Sequence, residues 1–446
     1  MNGTDRRTAA ACPRPAVRDS LHTPVRVVDL DLDEPSGLRS PGGLGAGAPD
    51  GRVLALVRLH GHPLGLVTAT GAAGHSAELR RALVDAAHRE LRVPALSTAT
   101  PAARPGRAGR ARVPAGPVTV SVVVATHNRA GMLRSCLDSL LRNGYPRFEV
   151  VVVDNAPADD SAERLIRDRY RSRVRYLREP VAGLARAHNT GLAAVTGEIV
   201  AFTDDDTLAD PDWIGALART FAEDERIGCV TGLILPAELD TPAQAALEHH
   251  GGFAKGFAAR TWTLADRLGD RLADPLFPFA AGRFGSGANM AFRTAPLRAL
   301  GGFDPATGTG TPARGGDDLL AFFRILVAGH ALAYVPDAII WHRHRRTMDA
   351  LPAQAFGYGA GFGAYLVAAL HHEPAMLPAL LRRLPSGLRY AAHRARTRPD
   401  PGGAGRRPTR RLARLELQGL LYGPLGYARS VHLVRALART PAGRTG

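Results

Sequence analysis

The sequence predicts an α/β fold with a mostly parallel central sheet, joined to a small N-terminal α+β unit and a set of C-terminal helices. Three observations carry that reading. The apolar runs in VTVSVVVATHNR (118–129), FEVVVVDNA (148–156) and EIVAFTDDD (198–206) are continuous rather than alternating, as expected of strands buried on both faces. Each run stops at a polar or acidic position, marked by Thr126, Asp154 and Asp204. Segments of helical periodicity separate the runs with short connections, the pattern of parallel strands covered by helices. Ligands of such sheets bind beyond the strand C-termini, so the acids at 204–206 fall on the expected active-site edge.

Residues 1–24 show no apolar periodicity and are expected to be disordered. Strands are expected at 25–30, 52–59 and 64–70, the last two joined by the turn HGHP, and a helix rich in Ala, Leu, Arg and Glu over 76–91. Residues 25–92 thus make an accessory unit too small to bury much core alone, and docking on the larger domain is expected. The Pro, Gly, Ala and Arg content of 93–117 marks a linker.

The main domain spans 118–347. After its first strand, Leu133, Cys136, Leu137, Leu140 and Leu141 form one face of a helix over 131–143. Helices over 160–170 and 184–194 flank a short strand at 174–177. An Ala/Leu helix follows Trp213, then the strand IGCVTG (227–232) and a less regular region. GRFGSGANMAFR (282–293) supplies glycines for close backbone approach, a strand at 290–292, and Thr294 as a helix cap. GGFD (301–304) reads as a turn. Asp317 and Asp318 open a helix over 317–327, followed by the strand ALAYVP (331–336) and the basic, aromatic stretch WHRHRR (341–346). Residues 348–446 read as a helical, basic region. Within it YGAGFGAYLVAALHHEP (358–374) has membrane-interface character but is too short to span a bilayer. The alternative is that these helices simply pack against each other.

The 446 residues carry a formal net charge of +16, which favours polyanions or anionic lipid surfaces. Many of the arginines lie in low-complexity segments, which argues against nucleic acid as the partner. Cys12, Cys136 and Cys229 are odd in number and widely spaced, so neither a disulfide framework nor a zinc site is expected. The first residues lack the apolar segment of a secretory signal, and a cytoplasmic location, or a peripheral one on the inner face of the plasma membrane, is the expectation.

Asp204, Asp205 and Asp206 are three adjacent carboxylates whose mutual repulsion is relieved by a cation. Oxygen ligands of this kind favour Mg²⁺ or Mn²⁺, which commonly take further ligands from phosphate oxygens. His342 or His344 could add a ligand, or could be surface residues beside their arginines. A solvated acidic turn capping the helix near Pro211 is the duller alternative for the acids. No GxGxxG follows the first strand, which disfavours the usual dinucleotide site.

VVVATHNR, VVVDNA, GLARAHNTGL, AFTDDD, GANMAFR with LGGFD, and GGDDLLAFFR occur in the order found in the inverting, nucleotide-sugar-dependent glycosyltransferases of family 2, and residues 118–347 resemble that family. The resemblance, to non-processive actinobacterial-type members, implies a GT-A fold. It also implies transfer of a sugar from a nucleotide-diphospho-sugar to an acceptor hydroxyl with inversion, aided by Mn²⁺ or Mg²⁺. It places Thr126, Arg129 and Asp154 around the nucleotide, and Arg186 and Asn189 facing the donor. Asp204 and Asp206 correspond to its metal and diphosphate signature with Asp205 between them, Asp204 and Asp205 being at the donor as well. Asn289 falls near the sugar and acceptor, Asp318 corresponds to the base, and Asp317 to its neighbour. Relatives often carry Arg where this chain has His188. The Gln-x-x-Arg-Trp motif of processive members is absent, with QAFGYGAG (354–361) in its place.

The setting implied is cell-envelope, polysaccharide, glycolipid or secondary-metabolite glycosylation, with a lipid-linked acceptor and an anionic membrane surface among the partners left open. Two other classes compete. A nucleotidyltransferase would also use an oxygen-ligated metal, but VVVATHNR lacks the basic Gly-rich loop that holds a triphosphate. A noncatalytic polyanion- or membrane-surface-binding protein would use the positive charge alone.

Overall fold

The computed structural model describes residues 23–91 except 35, 36, 44, 48 and 73, and residues 118–264, 276–397 and 406–439. The expectations of disorder before residue 23 and of a linker over 93–117 lie outside these residues, as do Cys12 and much of the basic loop after 396.

The N-terminal unit is a five-stranded sheet with one helix. Strands β1 (Val25–Asp31), β2 (Leu38–Arg39), β3 (Ala46–Gly47), β4 (Gly51–Leu59) and β5 (His62–Gly71) lie in the order β3-β2-β1-β4-β5, and α1 (Ser76–Glu90) covers one face. Leu79, Leu83, Ala86 and Ala87 recur at helical spacing and pack on Val28, Leu30, Val53, Ala55 and Val57. The opposite face of the same strands, through Val25, Val27, Leu54 and Leu56, packs on Leu208, Leu233, Leu235, Ile339 and Trp341 of the main domain. At the edge of this contact Arg58 is buried between Asp29 (2.8 Å) and Asp210 (2.6 Å), two carboxylates from the two sides.

The main domain begins with β6 (Val120–Thr126), α2 (Ala130–Leu140), β7 (Phe148–Asn155), α3 (Ser161–Arg169), β8 (Val174–Glu179), α4 (Leu184–Ala194) and β9 (Ile199–Asp204). It continues with β10 (Thr207–Ala209), α5 (Trp213–Glu223), β11 (Ile227–Pro236), α6 (Pro242–Gly251), β12 (Arg260–Trp262), β13 (Met290–Arg293), α7 (Thr294–Ala299), α8 (Asp317–Val327) and β14 (Ala331–His342). The sheet runs β10-β14-β11-β13-β9-β6-β7-β8, with β12 on β14. Side chains alternate across it. Val122, Val124, Val150 and Val152 face a core with Leu133, Leu137 and Trp213, while Val123, Val151 and Val153 face one with Phe202, Phe292 and Phe322. Continuous apolar strands are the consequence of these two cores.

The β6 to β9 block and the β11/β14 pair are parallel as expected. The departures are the short strands β10 and β12, both antiparallel to β14, and β13, antiparallel to both β9 and β11 in the middle of the sheet. A four-residue strand entered from a tight turn needs no crossover helix, so its direction is left free by the alternation that predicts its neighbours. Thr294 begins α7 but does not cap it; its hydroxyl donates to the Gly197 carbonyl at 2.7 Å instead.

The chain closes with α9 (Ala350–His372), α10 (Leu377–Thr397) and α11 (Arg406–Arg439). Gly359 and Gly363 of α9 meet Gly419 and Gly423 of α11 so closely that a Cβ on Gly359 would stand 1.8 Å from the Glu416 carbonyl oxygen. Ala360, Ala364, Tyr365, Ala368 and Ala369 are buried with them. The glycine-rich apolar helix is therefore a packing element. Among the described residues no helix is long and apolar enough to cross a membrane.

Candidate active site

Strand β9 ends at Asp204, and its pairing with β6 through Ala125 and Asp204 sets the acids beside the loop that follows Thr126. The turn is held internally. The Thr207 hydroxyl donates to the Asp204 carbonyl at 2.8 Å, and β10 then pairs with the end of β14, Thr207 facing His342. That pairing brings a histidine from far along the chain to the acids. Asp204, Asp206 and His342 each offer a ligand atom, all within 4.8 Å of one another.

The surroundings are those of buried charge rather than a solvated cap. Asp205 is fully buried, accepting from the Thr126 hydroxyl at 2.7 Å and paired with Arg129 at 2.7 Å. Burial dominates over those partners and pushes its carboxyl up to about 6. Burial and the Asp206 charge raise Asp204 to about 7. Asp206 is half-buried, but the neighbouring His342 and the 2.8 Å Arg129 pair outweigh its desolvation and hold it at about 2. Burial opposes protonation of His342, yet Asp206 raises its pKa. One Asp206 oxygen, 3.4 Å from His342 Nε2, has no hydrogen-bond partner. An orphaned carboxylate oxygen facing a second carboxylate and an imidazole fits a divalent cation.

The second acidic pair sits at the start of α8, where Gly316 adopts φ 90° as N-cap. Adjacent residues there diverge by about 100°. Asp317 turns inward to a 3.4 Å contact with the buried His188, whose ring lies between Phe202 and Phe303. Asp318 turns toward the turn before β13, accepting from the Gly287 N–H and the Leu319 N–H, both at 2.8 Å. Burial, then the Asp317 charge, raise its carboxyl to about 6 against those donors.

The other sequence-predicted positions divide. Asp154 is buried at the end of β7, takes one hydrogen bond from Tyr176 at 3.0 Å, and has a second oxygen without a partner, which suits a ligand hydroxyl. Arg129 already bridges two acids, and Arg186 lies in the first turn of α4 beside Gly183. Asn189 is half-buried, and its amide both donates to and accepts from the Phe303 backbone at 2.7 and 2.8 Å. Asn289 is fully enclosed, accepting from Trp213 Nε1 at 2.9 Å and donating to the Leu233 and Ala338 carbonyls at 3.0 and 2.8 Å. It plugs the irregularity between β11 and β14, where a Cβ on Gly232 would also collide with the Ala338 oxygen.

Sequence reasoning passed over Asn155, which donates to the Val181 carbonyl and accepts from Gly183 N–H, fixing the turn before α4. Its place directly after Asp154 at a strand end was the available signal.

Residues 121–292 match the profile of Glycosyl transferase family 2. The chain carries a family 2 glycosyltransferase domain. The match runs from β6 to β13 and so contains the acid cluster, while His342 and the Asp317–Asp318 pair lie beyond it. A glycosyltransferase of Streptococcus pneumoniae is 33% identical over 105 residues, 23% of this chain and 15% of that protein. The pre-mycofactocin glycosyltransferase of Mycobacterium tuberculosis is 28% identical over 277 residues, 60% of this chain and 52% of that protein. The chain thus spans only a part, at most about half, of these two relatives' lengths. Among solved structures, a mannosyltransferase of Pyrobaculum calidifontis in complex with GDP-Man and Mn²⁺ aligns over 73% of this chain and 76% of its own, with 22% identity and TM-score 0.40. Glucosyl-3-phosphoglycerate synthase of Mycobacterium tuberculosis, in complex with Mn²⁺, UDP and phosphoglyceric acid, covers 60% of this chain and 84% of its own, with 22% identity and TM-score 0.39.

Proposed function

We propose that the protein transfers a sugar from a nucleotide-diphospho-sugar to an acceptor hydroxyl, with inversion and with a divalent cation. The observation that carries the reading is the convergence of Asp204, Asp206 and His342 at the edge of a family 2 domain, with an orphaned acid oxygen among them. Asp204, Asp206 and His342 would hold Mn²⁺ or Mg²⁺, which supplies neutralisation of the charge that develops on the leaving diphosphate. Asp154 receives a hydroxyl of the nucleoside. Arg129, half exposed beside the acids, is the side chain able to turn toward phosphate. Asp318 accepts the acceptor's proton, because its carboxyl is ionised above about pH 6 and two backbone N–H groups fix its orientation. A single displacement assisted by one base inverts the anomeric carbon.

A panel of nucleotide sugars, screened for Mn²⁺-dependent release of nucleoside diphosphate, tests this without knowledge of the acceptor. Release from one donor and its loss on chelation are expected; no release from any donor counts against the reading. We further propose contact with an anionic membrane, supported by exposed Leu417, Leu421, Leu425 and Leu433 interspersed with exposed Arg414 and Arg429 on α11. Co-flotation with acidic liposomes at low salt is the expected result, and retention in the soluble fraction would refute it.

A further inference from the structure

Behind His342 the structure places a second histidine and a glutamate in line. His342 Nδ1 lies 3.0 Å from His344 Nδ1, and His344 Nε2 lies 2.5 Å from Glu248 Oε1. The His344 side chain is completely enclosed, whereas Glu248 keeps partial contact with solvent. Phe253 stands against both imidazoles, with ring centroids 5.1 and 5.7 Å away. Helix α6, which carries Glu248, is started by a reciprocal capping box between Thr241 and Gln244, and the Gln244 amide also donates to the His344 carbonyl at 3.2 Å. The middle and the outer end of the line are therefore held by the same helix.

Hydrogen-bond direction follows from the chemistry of these groups. An ionised carboxylate only accepts, so Glu248 requires the proton of His344 on Nε2. His344 Nδ1 is then a bare acceptor, and the short contact to His342 requires a proton on His342 Nδ1. The opposite arrangement would set a bare His344 nitrogen against a carboxylate at 2.5 Å. With its Nδ1 so engaged, His342 presents Nε2 to Asp204 and Asp206.

We propose that Glu248 and His344 are positioning residues that fix the tautomer and ring orientation of His342 so that its Nε2 is delivered to the cation. This rests on the reading of His342 as a ligand given above. Outer carboxylate partners of metal-bound histidines act in this way, and their loss weakens metal binding by about 10- to 100-fold. The proposed arrangement adds a histidine between the carboxylate and the ligand, and so extends the same control across the strand end to α6.

The test uses the full-length protein, Mn²⁺ as probe, and calorimetry or electron paramagnetic resonance in the presence of UDP or GDP. Glu248→Gln keeps the side chain's shape but can either donate or accept, so it no longer dictates direction. Its Mn²⁺ dissociation constant should rise by about 10-fold or more while the thermal midpoint stays put. In parallel, ¹⁵N spectra of histidine-labelled metal-free protein should show one tautomer at His344 in the parent and a mixture in Glu248→Gln. His342→Ala separates the two layers of the argument. If it leaves Mn²⁺ affinity unchanged, the ligand reading fails. If it abolishes binding while Glu248→Gln leaves both affinity and tautomer unaltered, the positioning proposal alone is overturned.

Discussion

The two acidic clusters of the domain have opposite surroundings. Asp205 and Asp206 are neutralised by charged or chargeable side chains, Arg129 on both and His342 on the second. Asp318 forms no ion pair among the described residues; it is held by the uncharged N–H groups of Gly287 and Leu319 with the Asp317 charge beside it, and His188 exerts only a smaller opposing influence. A carboxylate paired with a displaceable cation is suited to exchange that cation for another. Proton affinity does not separate the clusters, since Asp204 and Asp205 are raised to about 7 and about 6 as Asp318 is to about 6; what separates them is that Asp318, held by neutral donors, has no cation to displace before it takes up a proton. The same residue type thus divides into a cation site and a base.

Changing one cluster at a time breaks or sharpens this division. Asp318→Asn removes the proton acceptor but keeps the shape, and turnover should fall by about 10²- to 10⁴-fold. Affinity for Mn²⁺ and for nucleoside diphosphate should not change, and calorimetry on the same preparation checks this. Asp317→Asn should cost less in turnover, because Asp317 is buried against His188. Reversal of those two effects would move the base to Asp317.

At the other cluster, Asp206→Asn should lower turnover by about 10²-fold or more by weakening the stabilisation of the leaving group. Here the nucleotide should lose its Mn²⁺-dependent affinity as well. Equal binding of UDP or GDP with and without Mn²⁺ in the parent would remove the cation from the scheme.

Acidity offers a gentler probe of the same contrast. With the Asp318 carboxyl raised to about 6, activity at saturating Mn²⁺, which favours the ionised forms of Asp204 and Asp205, should climb between pH 5 and 7 and level off above, and Asp318→Asn should flatten that limb. Stability should respond in the other direction. The folded state holds this proton more tightly than the unfolded chain, whose carboxyl has the ordinary value of 3.8, so this group's contribution falls as pH rises from about 4 to about 6. Thermal midpoints of parent and Asp318→Asn across that window measure the difference.

Much of this was legible in the sequence because the strands are buried on both faces. Continuous valines at 150–153 and the run at 199–202 can belong to little else, and their polar ends mark the site edge. Helix periodicity located α2, α4 and α8 closely. Residue type alone could not say which way a polar side chain points. Asn189 and Asn289 look like ligand contacts in a motif, yet their amides are taken up by backbone groups that the fold brings from elsewhere. His342 was visible only as an option, since its approach depends on β10 pairing with β14. Glu248 depends on α6 crossing behind that strand end. The apolar, glycine-rich α9 was ambiguous for another reason: small residues that let a helix approach a partner closely also read as membrane-compatible.

That helix supplies the subtlest way to separate the clusters. Gly361 of α9 lies against the turn that starts α8, and a Cβ there would stand 2.9 Å from Gly315 Cα and 3.2 Å from Gly316 N. These are backbone atoms, so no side chain can rotate away and either the helix or the turn must shift. Gly361→Ala should destabilise the fold by roughly 1–3 kcal/mol, the usual consequence of overpacking. A displacement of a few tenths of an ångström at Asp318 should lower turnover by roughly 10-fold, since near-attack geometry tolerates little. The acids at 204–206 stand on a different strand and turn, and their Mn²⁺ affinity should be unaffected. Gly357→Ala is the control, because nothing lies within 4 Å of its Cβ position on the same helix. It should leave turnover unchanged and stabilise the helix by up to about 1 kcal/mol. A matched fall in Mn²⁺ affinity and turnover in Gly361→Ala would show instead that the two acidic clusters move as one unit, and the division between cation site and base would have to be redrawn as a single coupled network.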